Sequence, residues 1–274
     1  MDVHLAPAAG DIIDCHCHAG KGDGLTGPWD TRAPLTKYLE RARRAGIGRT
    51  VLFAAFHTDY AVANREVARL VRASPERFLG FAFIHAIRDS RRIMAMITEA
   101  VLRLGLMGIK VHRRDARLSR EICDAASAWR LPVLYDPMGE VSVVELAAAE
   151  YRDVPFIIPH LGSFADHWRA QREFLDILAR HPNVYTDTSG VRRFDLLEEA
   201  LERAGAAKIL FGSDGPWLHP GLEMAKVLAL RLNAAEKRLI LGANLLKLIG
   251  RSRPARGGYS PGGLPHAAFA GRGL

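Results

Sequence analysis

The chain has 274 residues, is 49% hydrophobic and 25% charged, and carries a formal net charge of +8 with three cysteines. That length suits one large α/β domain or two small ones with a sizeable core. No apolar run is long enough to span a bilayer, no basic-then-apolar leader opens the chain, and an odd cysteine count argues against a disulfide framework. The excess charge is arginine spread over helix faces (Arg41, Arg43, Arg44) and the last stretch (Arg251, Arg253, Arg256, Arg272), not one block interleaved with aromatics. It reads as solvation first and attraction for a small acidic substrate second, with no nucleic-acid or membrane partner. A cytoplasmic location is the default expectation, and self-association stays open.

The first strand signal is Asp11 to His18, with Ile12 and Ile13 leading into Cys15-His16-Cys17-His18 and a stop at Ala19-Gly20. Side chains at i and i+2 share a strand face, so His16 and His18 project together, as a divalent ion requires. The same alternation turns Cys15 and Cys17 to the other face, toward a helical layer. Two hydrogen-bonded histidines at a polar strand end would give the same pattern.

A Gly-rich loop follows (Gly20, Gly22, Gly24, Gly27), and Pro34 opens a helix that Gly46 stops. Thr50 to Phe53 is the second run, reaching His57, with an amphipathic helix over Ala61 to Ala73. Phe78 to Ile84 is the third, ending at His85, and its helix is closed by Gly105. Gly108 to His112 is the fourth, with Ser119 starting the next helix. Leu131 to Asp136, Val154 to Ile158 and Asn183 to Asp187 are the fifth, sixth and seventh. The sixth leads into Pro159-His160-Leu161-Gly162. Asp195 and Glu198 resemble a capping box after the seventh. Lys208 to Asp214 is the eighth, and Ala234 to Ile249 supplies a closing helix. Eight such units in about 240 residues predict a (β/α)8 TIM barrel over residues 1–250. An open doubly wound sheet would show a phosphate-binding glycine turn after its first strand. Residues 251–274, rich in Gly, Pro and Arg, read as a tail.

Barrel enzymes build their sites from the C-terminal ends of their strands. Those ends carry His16, His18, His57, His85, Lys110, His112, Asp136, His160, Asp187 and Asp214. Singly, each has a plain structural reading: a hydrogen-bonded histidine, a buried ion-pair partner for Lys110, a cap or turn former for Asp187. A whole ring of ionisable groups at one barrel mouth is costly unless paired or metal-bound, which favours a site.

These segments resemble the amidohydrolase superfamily, specifically its amidohydrolase-related (amidohydrolase 2) branch. The likeness rests on Ile13-Asp14-Cys15-His16-Cys17-His18, Ser74 to Gly80, Gly108 to His112, Pro159 to Gly162, Asn183 to Gly190, Ile209 to Pro216 and Asn244 to Leu248. The resemblance implies that His16, His18 and Asp214 bind a divalent metal, that Asp214 also accepts a proton, and that His160 is catalytic. Zinc is the expected ion, with manganese or iron as alternatives. Asp136 stands where the branch usually carries a metal-binding histidine. It is expected as a fourth ligand, or else as a partner of Lys110 or His112 in a metal-free site.

The leading expectation is a metal-dependent hydrolase that opens an amide, lactone or related bond of a small anionic molecule with metal-activated water. Lys110 and His112 would orient the substrate, and Trp217 would wall the pocket, with core packing an equal reading of Trp217. Arg113, Arg114, Arg192 and Arg193 follow strand ends and suit either a carboxylate or solvation. The alternatives are a non-oxidative decarboxylase of an aromatic or unsaturated acid, a metal-free lactonase, and a catalytically inactive binding barrel. A TatD-type nuclease is disfavoured because Lys110 stands where those enzymes carry a glutamate.

Overall fold

In the computed structural model, which describes residues 12–23, 32–164 and 167–250, the β-branched and aromatic runs form the wall of a parallel barrel. Its strands are β1 (Ile12–Lys21), β2 (Ile47–Ala54), β3 (Phe78–Gly80 and Ala82–Phe83), β4 (Ile109–His112), β5 (Val133–Asp136), β6 (Phe156–Ile158), β7 (Val184–Asp187) and β8 (Ile209–Leu210). Sequential strands pair in parallel, and a short strand, Arg32–Ala33, adds antiparallel to the end of β1. Strands covered on both faces must be apolar nearly throughout. Val51, Phe53, Phe81, Phe83, Ile109, Val111, Ile157 and Phe211 are accordingly almost fully buried.

Two places close the wall. Phe81 interrupts β3: its N–H donates to Leu52 O (2.9 Å), and that of Ala82 donates to Gly108 O (2.8 Å), handing the strand from β2 to β4. The Phe81 ring lies where Gly108 would carry a Cβ, 2.5 Å away, so only glycine fits there. The final seam joins the two ends of the barrel. Cys15 N–H donates to Phe211 O (3.0 Å), Gly215 N–H to His16 O (3.2 Å) and His18 N–H to Gly215 O (2.7 Å).

The helices that follow the strands are α1 (Leu35–Arg44), α2 (Tyr60–Ala73), α3 (Ile93–Glu99), α4 (Arg120–Trp129), α5 (Val141–Glu150), α6 (Trp168–Arg180), α7 (Phe194–Ala204) and α8 (Pro220–Ala229). Asp59 caps α2 through Ala61 and Val62, and Ser119 caps α4 through Ile122. A wider-turned segment, Ala100–Leu104, extends α3 until Gly105 turns left-handed at φ 71°. The capping box expected at Asp195 is not formed. Asp195 lies inside α7 and pairs with Arg193, whose N-cap position has no side-chain bond. The capping box that does form joins Asn233 and Glu236 at the start of α9 (Ala234–Arg238). The closing helix is three pieces, α9, Leu239–Ala243 and α10 (Asn244–Ile249). Gly24, Gly27 and the expected tail at 251–274 lie outside the described residues. Among the described residues no helix is long and apolar enough to cross a membrane.

Asn183, at the start of β7, shows how buried polar groups hold the barrel floor. Its amide donates to Ala148 O (3.2 Å), Tyr151 O (2.9 Å) and Val154 O (3.1 Å), tying β7 to the end of α5 and the turn behind it. Replacing it leaves three carbonyls without this donor. Asn183→Ala is expected to lower the unfolding free energy by about 2–3 kcal/mol, read from the midpoint of urea denaturation at unchanged m-value.

Candidate active site

The C-terminal ends of β1, β2, β4, β5, β6 and β8 converge on one cavity of about 260 Å³. His16, His18, His112, Asp136, His160, Asp214 and Trp217 all line it, as do Phe56, Arg114, Met138 and Phe164. Several of these residues take backbone conformations that side chains disfavour. Met138 (φ 49°), His160 (φ 59°) and Asp214 (φ 53°) are left-handed, the kind of local strain that clusters at functional sites.

A register shift in β1 aims the histidines. Between Asp14 and Cys17, three steps of β1 match two steps of β2, Thr50 to Leu52. Simple alternation would put Asp14 on the face of His16 and His18. Asp14 instead accepts from the Tyr38 hydroxyl of α1 (2.7 Å), and Tyr38 accepts from Thr50. Cys17 meets the expectation of facing the helices, lying against Tyr38 and Gly215. Cys15, beside the shift, is fully buried, and burial pushes its thiol well up. Asp14 also accepts from His16 N–H (3.0 Å) and from the N–H (2.9 Å) and hydroxyl of Ser213. One buried carboxylate thus holds the backbone beside His16 and beside Asp214.

Hydrogen bonds settle which ring nitrogen each histidine offers. His16 Nδ1 lies 2.8 Å from Asp187 Oδ2, and His18 Nδ1 lies 2.9 Å from Ala54 O. Neither oxygen can donate, so both Nδ1 atoms carry hydrogen and both Nε2 lone pairs face the cavity. Burial, then the charge of Lys110, lowers His16 to a pKa of about 4 against the pull of Asp187. Burial pushes His18 well down as well. Neutral imidazoles with Nε2 exposed are ligand-competent, and a carboxylate or carbonyl on the far nitrogen is the usual support of a metal-bound histidine. The Nε2 atoms stand 3.3 and 3.9 Å from Asp214 Oδ1. Donors on one tetrahedral ion of about 2.1 Å bond length lie about 3.4 Å apart. Among the described residues, His16, His18 and Asp214 form the group whose ligand atoms all fall within 4.8 Å of one another. These three residues fit a divalent ion.

Asp136, expected as a fourth ligand, falls outside that group. Its Oδ1 accepts from Met138 N–H (2.8 Å), and its Oδ2 lies 3.2 Å from His112 Nε2 and 3.7 Å from His160 Nε2. His112 Nδ1 accepts from Arg114 N–H (3.0 Å), which leaves Nε2–H to donate to Asp136. Burial alone would raise the Asp136 carboxyl, but the hydrogen bond from His112 and the nearby charge of Lys110 hold it well below the usual carboxylate range. His160 Nδ1–H donates to Ser189 O (2.7 Å), so its Nε2 is the atom turned toward Asp136.

Lys110, expected beside the substrate, does not line the cavity. It is fully buried, among the described residues its Nζ has no hydrogen-bond partner, and it sits 4.9 Å from the centre of the Phe53 ring. Burial lowers its pKa, against the carboxylates of Asp136, Asp214 and Asp187. His57 and His85 are local supports: His57 Nδ1 accepts from Asp59 N–H, and His85 Nδ1 from Ile87 and Arg88 N–H. Asp187 is more than a turn former. It supports His16 and accepts from Ser189 N–H (3.0 Å) and Oγ–H (2.5 Å). Phe56 and Phe164 were not anticipated in the cavity; nothing in their local sequence separates them from core aromatics.

An amidohydrolase family model matches residues 13–251. The chain belongs to this amidohydrolase family. No curated protein matches it by sequence comparison. Solved structures with the same fold include 5-carboxyvanillate decarboxylase from Sphingomonas paucimobilis, at 12% identity and a TM-score of 0.70 over 87% of this chain and 98% of that one. A dihydroxybenzoic acid decarboxylase from a Polaromonas species, with bound manganese and 2-nitroresorcinol, is 17% identical, with a TM-score of 0.67 over 89% and 98%. An uncharacterized TIM-barrel protein from Bordetella bronchiseptica is 17% identical, with a TM-score of 0.69 over 88% and 99%. As an amidohydrolase, the chain carries its His-His-Asp group across the β1–β8 seam.

The geometry separates the ligand group from Asp136 and predicts metal content accordingly. Purified protein is expected to hold one divalent ion per chain, lost in His18→Ala and Asp214→Asn but retained in Asp136→Asn. Asp187→Ala should weaken metal affinity by about 10–100-fold. Elemental analysis after dialysis against graded metal buffers reads both outcomes.

Proposed function

We propose that this amidohydrolase is a metal-dependent decarboxylase of a small aromatic carboxylate. The observation that carries the reading is the aromatic wall around the His-His-Asp group. Trp217 stands 4.5 Å from the His18 ring, Phe164 is edge-on to His160 at 5.1 Å, and Phe56 is edge-on to His112 at 4.9 Å. Such rings hold a flat apolar body by stacking and edge contacts. The cavity is of single-ring size, at the small end for ligand sites. The decarboxylases of aromatic acids among the similar folds add support.

A divalent ion on His16, His18 and Asp214 would supply positive charge to bind and polarise the substrate's oxygen atoms. The remaining work falls to the chain's own side chains. Phe56, Phe164 and Trp217 orient the ring and exclude water from the scissile bond. That bond joins the ring carbon to the carboxyl carbon. As it breaks, carbon dioxide leaves, the electron pair stays on the ring carbon, and that carbon takes a proton. Asp214 and His160, which both face the cavity, are assigned to deliver it. His160 exchanges its proton at Nε2, because Nδ1–H is committed to Ser189 O. Asp136 Oδ2 beside that nitrogen stabilises the charged ring of His160 before transfer.

Hydrolysis is the second reading, and the exposure of Asp214 favours it. The Asp214 side chain is 14% accessible, so water reaches the carboxylate. Asp214 could then take a proton from water attacking an ester or lactone, with His160 stabilising the leaving group.

The two readings part on product. Manganese- or zinc-loaded protein assayed on hydroxylated and methoxylated benzoates is expected to release carbon dioxide. Cleavage of an aryl ester or a lactone assayed beside them, with no carbon dioxide from any benzoate, would establish the second reading instead. Chelation should abolish turnover and metal should restore it. Asp214→Asn should lower kcat by about 10²–10⁴-fold.

A further inference from the structure

Several arginines follow the strand ends, and the structure distinguishes them. Arg113 grips Glu140 through Nε (2.8 Å) and Nη2 (2.7 Å), and Arg117 reaches the same carboxylate from Nε (2.7 Å). Arg193 holds Asp195 through two bonds. Arg114 lines the cavity, and among the described residues it forms no ion pair with a carboxylate. Its guanidinium carbon stands 5.2 Å over the Phe56 ring, on the wall that meets His112.

We infer that Arg114 is the receptor for a second anionic group on the substrate, a carboxylate carried on the ring away from the one that reacts. The inference rests on the aromatic-carboxylate reading above. A guanidinium resting on an aromatic face is partly oriented before binding, and its N–H fork remains available for two parallel bonds to a carboxylate. Arg114 is a cation on a cavity that otherwise presents Asp136 and Asp214, so it sets where a substrate's remote negative charge can lie. Its side chain is separable from the catalytic hydrogen bonds. Only its backbone N–H supports His112, and that bond survives substitution.

The test is calorimetric titration of the manganese-loaded full chain with benzoate and with benzene-1,3-dicarboxylate. Wild type is expected to prefer the dicarboxylate by about tenfold or more. Arg114→Ala should bind the two equally, and Arg114→Lys should keep part of the preference. Arg117→Ala, outside the cavity and tied to Glu140, should behave as wild type. Equal binding by wild type, a preference that persists in Arg114→Ala, or no binding of either compound overturns the inference. A preference lost in Arg114→Ala without carbon dioxide release from any benzoate keeps the Arg114 subsite and removes the decarboxylase reading. Carbon dioxide release with equal affinities does the reverse.

Discussion

The site depends on the seam between β1 and β8. His16 and His18 come from the first strand and Asp214 from just beyond the last, so the group exists only where the barrel closes. The closing bonds run through the residues concerned: Gly215 N–H to His16 O, and His18 N–H to Gly215 O. Asp14 reinforces the seam from the helical side, accepting from His16 N–H and from both donors of Ser213. Burial raises the Asp14 carboxyl to about 6, while four hydrogen bonds pull the other way. An open sheet with the same strands would leave the ligands at opposite edges.

Charge inside the barrel follows from the same closure. Asp136, Asp187 and Asp214 point into one interior, and Lys110 is buried among them, its Nζ without a hydrogen-bond partner among the described residues. A lone buried ammonium is costly, and so are the two buried carboxylates of Asp136 and Asp187. Placed together, each lowers the penalty of the other. Lys110 therefore balances charge under the cavity, and its charge adds to burial in holding His16 and His18 neutral.

Much of this was legible in the chain. Strands covered on both faces are short apolar runs punctuated by glycine and proline, and the residue ending each run lies at the barrel mouth by topology alone. His16, His18, Asp136, His160 and Asp214 reach the cavity for that reason. What was hidden depends on contacts distant in sequence. Period-2 alternation cannot reveal the β1 register shift that sends Asp14 outward to Tyr38. The Asp195 capping box failed because Arg193 claimed the carboxylate. Arg113 and Arg114 are adjacent, yet only the position of Glu140 shows which is already neutralised.

The position of Asp136 also bears on what the site can attract. Had Asp136 joined Asp214 in the ligand group, two carboxylates would cancel the charge of a divalent ion and leave little pull on an anion. With Asp136 drawn aside by His112 and Met138 N–H, the group keeps two neutral imidazoles and one carboxylate. A divalent ion held there retains net positive charge. Arg114 adds a second positive centre at another point on the same cavity. Two positive centres joined by aromatic walls complement a flat molecule with negative charge at two places, and an aromatic dicarboxylate has that distribution.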